Sequence, residues 1–62
     1  MIKQEAKRRA AYIIDEMGIE DGTKHITQLI YFAEGINSIP VLDYWKEVEK
    51  EFYNAVNNHT PN

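Results

Sequence analysis

Apolar residues recur three and four positions apart along nearly the whole chain, and this helical period constrains the fold more than any other feature. Ile2, Ala6, Ala10, Ile13 and Met17 share one face with Ile14 beside them, which predicts a helix over about residues 2–17. Gly18 then supplies a left-handed stop. Ile19 follows where it can fold back on Ile14, the usual apolar contact of such a cap. Residues 19–22, Ile-Glu-Asp-Gly, read as a turn, with Asp21 as the N-cap of the next element.

Ile26, Leu29, Ile30, Phe32, Ala33 and Ile36 predict a second helix over residues 23–36. A strand is the rival, because this stretch is rich in β-branched and aromatic residues and Asp21-Gly22 can turn a hairpin. Alternation fails there, however, while the helical period holds throughout. Gly35 to Ile39 breaks the pattern again. Ser38 lies just before Pro40, and proline belongs in the first turn of a helix. Val41, Trp45, Val48, Phe52 and Val56 then carry a third helix over residues 40–57, and residues 58–62 read as a polar tail. The expected fold is all-α: a small three-helix bundle, antiparallel-packed, forming a single domain over residues 1–62.

A chain of 62 residues buries a modest fraction of its surface, so its stability is marginal unless something staples it. There is no cysteine, hence no disulfide and no thiolate metal site. That leaves a very well packed core or association with other chains. The third helix favours association. Its apolar arc, with Tyr44 on one flank and Leu42 and Tyr53 on the other, covers about half the circumference, wider than the roughly 100° stripe that faces a core. Glu49 lies inside this arc, where a carboxylate must be paired or at the rim of a contact. Leu42, Trp45, Glu49 and Tyr53 are therefore expected to face a second copy and complete the bundle as a homo-oligomer. Trp and Tyr are the residues that interface centres favour. In the simpler alternative the first two helices cover the whole arc, and Glu49 reaches water past Tyr53.

Charge is distributed against the expected polarity of the first helix. Residues 1–9 carry Lys3, Lys7, Arg8 and Arg9 against one acid, a net of +3, while residues 10–62 carry −6. A helix prefers acids at its start and bases at its end, and here Asp15 and Glu16 stand in the last turn. The acidic body argues against general nucleic-acid binding, which runs on neutralised phosphates. Arg8 and Tyr12 lie on the polar face of the first helix, and Tyr31 on that of the second. A tyrosine beside a cation makes a stacking and hydrogen-bonding spot. Lys7, Arg8, Arg9, Tyr12 and Tyr31 are thus the candidate ligand- or partner-binding residues.

Chemistry is thinly represented. His25 and His59 stand alone, and no His-x-x-x-His or Glu-x-x-x-His pair shares a helix face. Asp15, Glu16, Glu20 and Asp21 do not follow the ligand order of a calcium loop. No nucleophile elbow or phosphate loop is present, so no catalytic residue, metal or cofactor is expected. Leu29 to Trp45 loosely imitates a helix-turn-helix, with Gly35 in the turn and Ile36 and Val41 inward. The second of those helices would present Asp43, Glu47 and Glu51 to the phosphates, which disfavours DNA.

No apolar run approaches a membrane span and the start lacks the apolar stretch of a secretion signal, so a cytoplasmic protein is expected. The leading functional expectation is a non-enzymatic binding protein that acts on a protein partner as inhibitor, adaptor or regulator, by analogy with counter-defence proteins of phages. A second is an oligomer that sequesters a nucleotide-like anionic ligand. A third is a DNA-binding regulator.

Overall fold

The computed structural model describes the backbone of residues 2–59 and the side chains of residues 3–58. The last three residues of the expected tail lie outside the described residues, as does the side chain of Ile2 on the expected core face. Two helices form, α1 (Ile2–Gly35) and α2 (Ile39–His59), and they pack against each other. There is no strand among the described residues.

Two helices rather than three is the main departure from expectation. The stop at Gly18 is real, because this residue adopts φ 83° and ψ 178°, a region that only glycine occupies without strain. The turn expected over 19–22 does not form. Gly18 alone absorbs the change of direction, and the helix resumes at once. Asp21 is an exposed residue inside α1, not an N-cap. Ile19 is half exposed, and its carbonyl accepts a hydrogen bond from Thr23 Oγ1 at 2.8 Å. A straight helix of this length would span roughly 51 Å, whereas the longest dimension of the molecule is 39 Å. The bend makes up the difference.

Glycine at position 22 has a different task. A Cβ there would lie 2.9 Å from Ile13 Cγ2 and 2.9 Å from Phe52 Cε2. The inside of the bend is therefore closed by Ile13 from before Gly18, the bare backbone of Gly22 after it, and the Phe52 ring from α2. Ala6, Ala10, Ile13, Ile26, Val48 and Phe52 form the buried cluster, with Ile14, Ile30, Tyr44, Trp45 and Val56 packed against it. Burying one large side chain such as Phe52 contributes about 1.5–3 kcal/mol.

The second break is a helix cap. Asn37, not Gly35, takes the left-handed conformation, with φ 59°. Ser38 N donates to Ala33 O at 3.1 Å and Asn37 N to Glu34 O at 3.1 Å, the paired bonds of a Schellman cap. Ser38 O then accepts from Leu42 N at 2.9 Å and starts α2 one residue earlier than expected. These backbone bonds close the connection, yet several side chains around it are not covered. Phe32 and Ile36, both expected in the core, are 61% and 52% exposed. Val41 is exposed as well, and so is Met17. The inward packing that a helix-turn-helix requires of Ile36 and Val41 is therefore missing.

Candidate binding site

α2 runs antiparallel to α1 along both of its arms. Trp45 meets the edge of His25 at 6.5 Å between ring centroids, and Phe52 reaches Gly22. Farther along, residues 50–58 of α2 line a cleft together with Lys3, Lys7 and Ala11. This course places the start of α1 beside the end of α2. It also supplies a reason for the reversed charge of α1. The last turns of α2, Asn54 to His59, contain no Lys or Arg, and the carbonyl end of a helix attracts cations. Lys3 and Lys7 of α1 stand where those cations are wanted.

The cleft has a volume of about 790 Å³ and is lined by Lys3, Lys7, Ala11, Lys50, Glu51, Asn54, Ala55, Asn57 and Asn58. Glu51 is its unusual member. It was expected on the outward face with Asp43 and Glu47, but only 7% of it is exposed. The core of α2 extends toward the flank that carries Tyr44, and Glu51 lies two turns from Tyr44 on that same flank. The heptad spacing of these two residues was the available signal. Among the described residues Glu51 has no side-chain hydrogen-bond or ion-pair partner. Its carboxylate oxygens are not sealed from solvent either, so the group opens on the cleft.

The five candidate binding residues do not form one site. Lys7 belongs to the cleft. Arg8, Arg9 and Tyr12 line a shallow depression of about 360 Å³ with Glu5, all on one face of α1. The Arg9 guanidinium, rather than that of Arg8, stands over the Tyr12 ring, 5.6 Å from its centroid. Tyr31 is 68% exposed on the second arm, near the α1–α2 connection in sequence.

The expected interface residues of α2 are likewise divided. Trp45 packs on the core of its own chain and touches Tyr44 edge-on at 5.1 Å. Leu42 and Glu49 are half-buried, while Tyr53 is largely outside, its ring against the edge of Phe52 at 6.0 Å. Among the described residues no group of three His, Cys, Asp or Glu side chains could hold a metal ion, and no helix is long and apolar enough to cross a membrane. The chain matches no family model, no curated protein and no solved structure.

Proposed function

We propose that this chain is a non-enzymatic binding protein that docks on a protein partner through the apolar end formed at the α1–α2 connection. The observation that carries this reading is the exposure of Tyr31, Phe32, Ile36, Ile39 and Val41, all within residues 31–41. Single exposed apolar residues are ordinary, but five within eleven residues of chain suit a contact. Ile39 is 60% exposed although it stands in the first turn of α2. Local folding therefore gives no reason for these side chains, and a partner does. Inhibitor, adaptor and regulator are all compatible with a surface of this kind.

Self-association is the second reading, and the half-exposed Tyr53 beside half-buried Leu42 and Glu49 favours it. The nucleotide-binding reading is weakened because Arg9 already stands over the Tyr12 ring. The DNA-binding reading loses the inward Ile36 and Val41 on which its turn depended.

A photo-crosslinking residue at Ile36 tests the proposal in the producing cell. It should capture one protein partner, and Phe32→Lys should abolish the capture. The same crosslinker at Asp15 should capture nothing in common with it. Capture of a second copy alone selects self-association, and identical capture from positions 36 and 15 overturns docking at this end.

A further inference from the structure

The cleft between the start of α1 and the end of α2 combines features that a purely structural surface does not require. Glu51 is more than nine-tenths buried, and its carboxylate has no hydrogen-bond or ion-pair partner among the described residues. Recessing a carboxylate so that it keeps only part of its water and gains no donor is unfavourable, and an apolar side chain at the same place would pack better. Lys3, Lys7 and Lys50, all exposed, line the same cleft, and none is ion-paired with Glu51. Lys3 and Lys7 lie one turn apart on α1, and Asn54 and Asn58 one turn apart on α2, so two polar stripes line one space. The cleft thus holds a recessed negative group and an array of exposed positive groups, kept apart.

We infer that this cleft binds a small zwitterion, its ammonium meeting the Glu51 carboxylate and its carboxylate or phosphoryl group meeting the lysines. A plain anion would satisfy the lysines and leave Glu51 opposed to it. A plain cation would satisfy Glu51 and face three like charges. Only a ligand carrying both signs answers both parts, and the asparagine amides offer donors and acceptors to whatever links its two ends. This site is separate from the apolar end at residues 31–41 and does not depend on it.

The test uses the full chain and three matched probes: 3-aminopropylphosphonate, propylphosphonate and propylamine. Binding is followed by melting temperature, which rises by mass action with a ligand of the folded state, and by amide shifts of Lys7 and Asn54. The aminophosphonate should bind at least about tenfold more tightly than either single-charge probe. Glu51→Gln should remove that advantage while leaving the propylphosphonate affinity the same or higher. Lys7→Gln should weaken both phosphonates. Equal binding of the aminophosphonate and propylphosphonate to the unsubstituted chain would reduce the cleft to an anion site and overturn the proposal. So would the lack of a shift with any probe. The comparison among probes needs no variant, so it stands even if Glu51→Gln fails to fold. Vesicles of phosphatidylcholine with and without phosphatidylethanolamine identify the source of the group. Co-sedimentation only with the ethanolamine lipid assigns a headgroup, and binding of the soluble probe alone assigns a free metabolite.

Discussion

The two glycine-containing breaks of the helical period, at residues 18–22 and 35–39, differ in what they do with apolar side chains. At the first, the chain bends over Ile13 and Gly22, and the Phe52 ring fills the inside of the bend. At the second, the backbone closes on itself in a Schellman cap at Asn37, and Phe32, Ile36 and Ile39 stay outside. Both breaks are polar or flexible in composition with apolar residues on either side. The difference comes from α2. Its middle lies against the first break, whereas its start only leads away from the second. A break in a helix becomes core when a third segment crosses it, and becomes surface when none does.

Substitutions at Phe52, Gly22, Gly18 and Ile36 break or sharpen this contrast. The largest effect is expected for Phe52→Ala, which empties the inside of the bend. Core truncations of this size cost about 3–5 kcal/mol, enough to unfold a marginal chain, and denaturant titration by circular dichroism would read it. Gly22→Ala comes next. Its methyl would press on two packed side chains, and overpacking of this kind costs about 1–3 kcal/mol. Phe52→Leu in the same chain should recover part of that loss, since residues in contact couple. Additive losses would show that the tight approach at Gly22 is relieved elsewhere.

Gly18 separates backbone strain from packing. Nothing stands within 4 Å of a Cβ built there, so Gly18→Ala acts through conformation alone and should cost about 1–3 kcal/mol. A synthetic chain with D-alanine at position 18 should keep its melting temperature, because the mirror of this conformation is ordinary extended backbone. Equal losses with both enantiomers would place the effect in side-chain contact instead. The smallest effect on folding is expected for Ile36→Ser, within about 0.5 kcal/mol as for other exposed positions. The same change at Ile13 should be severe. A large loss at Ile36 would mean that the second break is also part of the core.

Much of the architecture was legible in the residues. The all-helical class follows from the apolar period, the break at Gly18 from the need for positive φ, and the core positions Ala6, Ala10, Ile13, Ile26, Val48 and Phe52 from their shared faces. The number of helices was not legible, because a turn of several residues and a single glycine that redirects a helix have the same local composition. Nor was the pairing of elements. Antiparallel hairpins stacked in order would have set the start of α1 away from the end of α2. The cleft lined by Lys3, Lys7 and Glu51 exists because they meet. Glu51 was misplaced for a related reason: the arc of α2 was too wide to show which flank would be covered, and only the spacing to Tyr44 pointed the right way.

Sequence alone determined where helix is possible, which face of each is apolar, and that basic groups gather at one end of the chain. These are local properties, set by side-chain chemistry and a period of 3.6 residues. Tertiary structure decided how far Gly18 bends the chain, which apolar residues stay outside, and that Lys3 and Lys7 share a cleft with Glu51. Such outcomes depend on where α2 crosses α1. That crossing is settled by the close fit of Ile13, Gly22 and Phe52, a contact among residues far apart in sequence that no single helix encodes.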